Sequence, residues 1–211
     1  MTIVSLKTES AGKLSAKDDI RRIELSDGSL FSFKNCYLPQ EQFLNTGEER
    51  EISADEETAF RFASACLQAE KAAFRLIARA EQCTSGIARK LEKRKFDAAC
   101  IKTVISRLTE LKLLDDRRYA QLWLESRLRV SRSPRRLLSS LCAKGIDRDD
   151  AEAAMKAALD EEAEFAMLTR FAKRHLKKTG GGEQAVTRTL KYLLKSEGFS
   201  PQAIQKFLSG E

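Results

Sequence analysis

This sequence has no long apolar run, no closely paired cysteines and a single histidine. No segment approaches the roughly 18 consecutive apolar residues of a membrane-spanning helix, and the first twenty residues contain no apolar signal core. We therefore expect a cytoplasmic protein without membrane contacts. The five cysteines include no Cys-x-x-Cys pair and His175 is the only histidine, which argues against a zinc site and favours reduced, mostly buried thiols.

Proline and glycine are also scarce, at 3 and 10 of 211 residues, whereas 33% of the residues are charged. This composition favours long helices with charged outer faces and little β-structure. The net charge of +7 is unevenly distributed, because residues 1–66 hold 8 basic and 12 acidic residues and the remainder holds 30 and 19. The basic remainder would attract polyanions, although the same charge excess can serve solubility alone.

One short segment has the pattern of β-structure. Residues 20–33 alternate apolar and polar side chains on both sides of Asp27-Gly28. An Asp-Gly pair in this setting predicts a β-hairpin with a two-residue loop, since such a loop requires positive φ angles. We assign residues 1–57 to an acidic N-terminal segment that contains this hairpin.

An internal repeat of helix, tight turn and helix follows. Lys95, Gly145 and Gly198 mark equivalent turns 50 and 53 residues apart, each with a leucine four residues earlier. Glycine suits a left-handed helix end, so the lysine in the first turn suggests that this unit turns differently. Helix N-cap candidates stand two residues after the three turns, at Asp97, Asp147 and Ser200.

A further amphipathic helix precedes each of these helical pairs. The predicted fold is therefore mainly α: a tandem repeat of three three-helix units in an elongated array, preceded by the small N-terminal β-hairpin segment. We place the three units at residues 58–114, 115–159 and 160–211.

The arginine-rich middle unit is the strongest candidate for a binding surface. Residues 117–146 hold eight basic residues and a single acid, Glu125. Ser133-Pro134 resembles the start of a helix whose leucines face inward while Arg136 points away. Because the planar guanidinium group suits phosphate and carboxylate, we expect a polyanion or an acidic protein groove as the partner; a merely solvated face is the alternative. The candidate contact residues in this unit are Arg127, Arg129, Arg132, Arg135, Arg136 and Lys144.

The third unit repeats this pattern on two helices. Basic residues lie opposite the apolar positions of each helix, although solubilising side chains would give the same pattern. The candidates on the first helix are Arg170, Lys173, Arg174 and Lys177, and those on the second are Arg188, Lys191 and Lys195.

Other candidate sites favour a structural interpretation. Asp115-Asp116 is more typical of helix capping than of acid–base catalysis, and His175 and Trp123 are more typical of packing. The glycines at 180–182 lack the Lys-Ser/Thr of a phosphate-binding loop. No combination of nucleophile, base and orienting group stands out, so we do not expect an enzyme.

These repeats resemble the RecX family of regulators of the bacterial RecA recombinase. The resemblance covers about 140 residues, and the segments that carry it are 72–95 (AAFRLIARAEQCTSGIARKLEKRK), 113–120 (LLDDRRYA), 126–129 (SRLR), 133–137 (SPRRL) and 144–146 (KGI). It implies tandem three-helix units, no cofactor, and binding in the groove of the RecA filament on single-stranded DNA. The resemblance also implies that the protein lowers the ATPase, strand-exchange and coprotease activities of RecA. The coprotease activity underlies the SOS response.

Two other hypotheses remain open. The chain could bind single-stranded or double-stranded DNA directly and without sequence preference, in which case its affinity would fall steeply with salt. It could also be a purely structural helical adaptor, in which case reversing Arg135 and Arg136 would change nothing. We expect a monomer under any of these hypotheses.

Overall fold

The computed structural model describes residues 1–9, 18–38, 50–130, 133–176 and 183–209, with the backbone alone at 183–187. The strands within these ranges are β1 (Ile3–Glu9), β2 (Ile20–Leu25) and β3 (Leu30–Lys34), followed by a 3-10 turn at Asn35–Tyr37. The helices are α1 (Ala54–Ile77), α2 (Thr84–Glu92), α3 (Ala98–Glu110), α4 (Asp116–Arg127), α5 (Pro134–Ala143), α6 (Arg148–Ala158), α7 (Glu161–Leu176), α8 (Glu183–Ser196) and α9 (Pro201–Ser209). The mainly α prediction is confirmed. In the described ranges, no helix is both long and apolar enough to cross a bilayer.

The chain divides into two compact units. Unit 1 contains Met1–Glu81 and Ile87–Leu114, and unit 2 contains Gln82–Gly86 and Asp115–Glu211. Unit 1 therefore holds the sheet and most of the first three helices, whereas unit 2 holds the six helices from α4 to α9. The division into three three-helix units, drawn from the sequence, remains our proposal.

The N-terminal sheet of unit 1 has one strand more than the predicted hairpin. Its order is β1-β2-β3, with both pairs antiparallel. Ten residues separate β1 from β2, so no short hairpin loop in the sequence indicates that these strands pair. Phe33 and Ile23 are fully buried, and the ring of Phe33 stacks on that of Phe60 in α1 with centroids 5.2 Å apart. The sheet is thus stabilised by a helix, as a small sheet in water requires.

The hairpin loop also differs in detail from the prediction. Leu25 and Ser29 close a three-residue loop, with the N–H of Leu25 donating to the carbonyl of Ser29 at 2.9 Å. Only Gly28, with φ of +83°, is left-handed in this loop. A three-residue loop of this kind needs one left-handed residue, whereas the two-residue loop needs two.

Helix α1 begins four residues before the predicted boundary. Ser53 caps its first turn by accepting from the backbone N–H of Glu56, whose side chain accepts in return from the N–H of Ser53 at 2.8 Å. This reciprocal pair, a capping box, satisfies two backbone donors that would otherwise lack partners.

The three equivalent turns have the same geometry, and the expectation that the first differs was wrong. Lys95, Gly145 and Gly198 have φ angles of 66°, 87° and 85°. After each turn, a backbone N–H donates to the carbonyl of the leucine that precedes the turn by four residues: Phe96 to Leu91 at 3.3 Å, Ile146 to Leu141 at 3.2 Å and Phe199 to Leu194 at 3.2 Å. This bond defines the Schellman helix end.

The predicted caps of the following helices are confirmed. Asp97 and Asp147 accept from backbone N–H groups two residues later, at 2.8 and 2.9 Å, and Ser200 accepts from Ala203 at 3.2 Å. Pro134 and Pro201 are the first residues of α5 and α9, where their missing N–H groups cost nothing.

The two helix triplets of unit 2 share one hydrophobic core. Leu137 and Leu141 of α5 belong to the same buried cluster as Leu168 of α7 and Leu190 and Leu194 of α8. Neighbouring repeats therefore support each other, as small repeats must to bury enough apolar surface.

Candidate partner-binding surface

Most of the cations predicted in the middle repeat are exposed. Arg127 is the last residue of α4 and Arg129 lies two residues further on; both side chains are exposed. Arg136 is exposed near the start of α5, and Lys144 is half-buried at its end. Arg132 lies outside the described residues.

Trp123 organises two of these cations. The guanidinium carbon of Arg127 lies 6.0 Å from the centroid of the Trp123 ring, and Nζ of Lys144 lies 5.7 Å from it. A cation over an aromatic ring gains about 0.5–1 kcal/mol at an exposed site. Trp123 itself is half-buried against the core of unit 2, in line with its predicted packing role. Its ring therefore places Arg127, at the end of α4, next to Lys144, at the end of α5.

Arg135 has a structural contact that the sequence did not indicate. Its guanidinium donates to the carbonyl of Ser196 at 3.3 Å, and its backbone N–H donates to the carbonyl of Glu197 at 3.0 Å. Both acceptors lie at the C-terminal end of α8, where free carbonyls attract cations. Arg135 therefore joins α5 to α8, and its neighbour Arg136 is the better candidate for contacting a partner.

Arg170 also has a local role. It is half-buried, and its guanidinium donates to the carbonyl of Leu128, the C-cap of α4, at 3.0 Å. Lys173 and Arg174, further along α7, are exposed. Lys177 lies outside the described residues.

Helix α8 carries the clearest basic face. Leu190 and Leu194 are buried, while Arg188, Lys191 and Lys195 are exposed, as predicted. Because Arg135 donates to the carbonyl of Ser196, the start of α5 lies at the C-terminal end of α8, the end that carries Lys195.

Two groups of residues were missed by the sequence reasoning. Tyr192 is 77% exposed on the basic side of α8; a helical projection centred on the leucines would have found it. In unit 1, Lys93, Arg94 and Lys95 are exposed where α2 ends. Cations at a helix C-terminus are common because they complement the helix dipole.

The remaining candidates have structural roles. Asp115 caps α4 by accepting from the N–H of Arg118 at 3.0 Å. Asp116 instead accepts from the backbone N–H of Thr84 at 2.8 Å and from its hydroxyl at 2.7 Å, which fixes the start of α2. The half-buried His175 ring packs edge-on against Phe171, with centroids 5.5 Å apart. The glycines at 180–182 lie outside the described residues.

The fold and the site thus define a helical-repeat protein with a basic outer surface. The chain belongs to the RecX family of regulatory proteins. Residues 115–155 match the family model described as RecX, second three-helix domain. The chain is 32% identical over 151 residues to the regulatory protein RecX of Treponema pallidum, an alignment covering 71% of this chain and 89% of that protein.

Solved structures support the fold. The crystal structure of a regulatory protein RecX superposes with a TM-score of 0.69 and covers 97% of both chains at 18% identity. That of RecX from Lactobacillus salivarius has a TM-score of 0.57 at 22% identity, covering 70% of this chain and 97% of the other. At these identities the likeness concerns the fold, and family membership rests on the sequence relatives.

Proposed function

We propose that this chain is a negative regulator of the RecA recombinase. It binds in the groove of the RecA filament on single-stranded DNA and lowers the ATPase, strand-exchange and coprotease activities of the filament. Membership in a family of regulatory proteins supports this proposal, as does the position of the basic residues in unit 2.

The observation that carries the proposal is the set of uncompensated cations on unit 2. Arg129, Arg136, Arg174 and Lys191 are exposed, and none of them forms an ion pair with another residue in the described part of the chain. Arg117, by contrast, pairs with Asp150 at 2.6 Å. Unpaired like charges repel one another within the fold, so a complementary anionic surface in a partner gives them a role.

The test is the DNA-dependent ATPase activity of RecA with this protein added at stoichiometric amounts. We expect inhibition by the natural protein and weaker inhibition by Arg136→Glu. The matched control is Lys156→Glu, which reverses an exposed cation of α6. A flat ATPase response to the natural protein, or equal inhibition by both variants, would contradict the proposal.

Arg135→Glu is a poorer probe. It places an acid against the carbonyl of Ser196 at the end of α8, so it should weaken the contact between α5 and α8 as well as any partner contact. A loss of RecA inhibition by Arg135→Glu would have two explanations, whereas a loss by Arg136→Glu would have one.

Direct binding to DNA is the second candidate function, favoured by the same exposed cations. Titration of labelled single-stranded DNA, with and without RecA, at two salt concentrations separates the two. Equal affinity in both cases, with a steep fall at higher salt, would favour direct binding.

A further inference from the structure

Tyr192 has no structural role that its surroundings explain. It is the most exposed large apolar or aromatic side chain in the described part of the protein, at 77%. With 100° per residue, its position on α8 lies about 160° from both Leu190 and Leu194, the two leucines buried in the core. The ring therefore stands at the centre of the outer face of α8.

Three cations of α8 lie to one side of this ring, at about 40° for Arg188, about 60° for Lys195 and about 100° for Lys191 around the helix axis. Arg188, Lys191 and Lys195 share the outer face with Tyr192, and we call these four residues the α8 face. Arg188 precedes Tyr192 by four residues and Lys195 follows it by three, the spacings at which helical side chains are neighbours. All three cations are exposed, and none pairs with an acid among the residues that the structure describes.

The first acidic residue after the α8 face in the sequence, Glu197, is hydrogen-bonded to a residue outside this face. Glu197 accepts a hydrogen bond from the hydroxyl of the buried Ser133, at the start of α5. The α8 face therefore combines an exposed aromatic ring with net positive charge. Its cations extend over about 10 Å of helix axis, at 1.5 Å per residue.

We propose that the α8 face binds single-stranded nucleic acid, with the Tyr192 ring stacked on an unpaired base and the three cations contacting backbone phosphates. This inference deepens the proposed function by naming what α8 touches in the filament. Unpaired bases offer the flat π surface that an exposed tyrosine can use, and a duplex hides those surfaces in its own stack. A tyrosine ring can also pack in a protein interface, so an acidic protein surface is the alternative that the experiment below tests.

The experiment measures binding of the full chain to fluorescein-labelled oligodeoxythymidine by anisotropy, in the absence of RecA. Stacking of one base is worth roughly 1–3 kcal/mol, so Tyr192→Ala should weaken binding by about 5- to 150-fold. Tyr192→Phe keeps the ring and should bind within about twofold of the natural protein. Lys191→Ala should reduce the slope of log affinity against log salt by about 0.7, the value for one phosphate contact on a single strand.

The control variant is Leu208→Ala, which shortens an exposed apolar side chain of α9 outside the α8 face. It should bind oligodeoxythymidine as the natural protein does, and thermal melting should show that all three alanine variants are folded. Binding to a DNA duplex should be unaffected by Tyr192→Ala.

Two outcomes would overturn the inference. The first is unchanged oligodeoxythymidine binding by Tyr192→Ala. The second is a variant of the α8 face that no longer inhibits RecA but binds the oligonucleotide normally, which would make the α8 face a protein contact. Failure of the proposed function looks different: the natural protein would leave the RecA ATPase unchanged while Tyr192→Ala still weakened oligonucleotide binding.

Discussion

At the scale of single residues, the left-handed turn at Lys95 shows how tertiary packing overrides local preference. A side chain in the left-handed region costs about 1–2 kcal/mol relative to the usual helical region. Packing and capping offset this cost, because the turn places buried Leu91 and half-buried Phe96 in the core of unit 1 and positions Asp97 to cap α3. Lys112, with φ of 56°, ends α3 in the same way.

Lys95→Gly should therefore stabilise the protein. Glycine adopts φ near +66° without steric cost but loses more backbone entropy on folding, so the net gain is about 0.5–1 kcal/mol. Urea denaturation measures this gain. Lys95→Ala is the control, because it removes the cation and retains the strain; an equal gain from alanine would show that charge repulsion, and not backbone conformation, is responsible.

At the scale of elements, unit 2 is held together by contacts between helix ends. The side chain of Glu164 in α7 accepts from the N–H and the hydroxyl of Ser200, at 2.6 and 2.8 Å, just before α9. The thiol of Cys83 donates to the carbonyl of Lys144 at 3.6 Å, and Asp116 binds Thr84. Backbone groups that helices leave unpaired are thus satisfied by neighbouring elements.

The turn after α5 gives the element-scale prediction. A methyl group on Gly145 would lie 2.5 Å from Cβ of Ser85 in the first turn of α2, whereas one on Gly198 would have its closest contact at 3.5 Å. Both glycines are left-handed, so alanine strains both. Overpacking adds about 1–3 kcal/mol, and Gly145→Ala should lower the free energy of unfolding by that much more than Gly198→Ala.

A double variant checks the cause of this difference. Ser85→Gly removes the obstructing side chain, so the destabilisation by Gly145→Ala should be smaller in the Ser85→Gly background. Urea denaturation of the four proteins of this cycle is the measurement. Additive effects would mean that the contact with Ser85 is not the source of the loss.

At the scale of the whole molecule, the cysteines differ in how deeply they are buried in the two cores. Cys66 and Cys100 are buried in unit 1, Cys83 is buried in unit 2, and Cys142 is exposed on α5. Burial raises the pKa of the half-buried Cys36 thiol, and a hydrogen bond to Cys100 together with burial raises that of Cys66. A raised pKa lowers the thiolate fraction, which is the reactive form. The hydrogen bond with Cys66 lowers the pKa of Cys100, but that thiol is fully buried, so access of a reagent limits its reaction.

One thiol should therefore react quickly with a disulfide reagent at pH 8 in the folded protein. We expect this fast phase to come from Cys142 and to vanish in Cys142→Ser, while the other four cysteines react slowly or on unfolding. Mass spectrometry of the labelled peptides identifies the site. Rapid labelling of Cys66 or Cys100 would show that the core of unit 1 opens readily.

The sequence by itself determined the helical class, the positions of the three turns and the caps that follow them, because these depend on residues within one or two helical turns of each other. It also identified the amphipathic face of α8. It did not determine the left-handed conformation of Lys95. Tertiary structure alone decided the pairing of the third strand β1 and the bonding of Arg135 and Arg170 to helix ends. Those features join residues far apart in the chain, and local periodicity carries no information about such distant pairs.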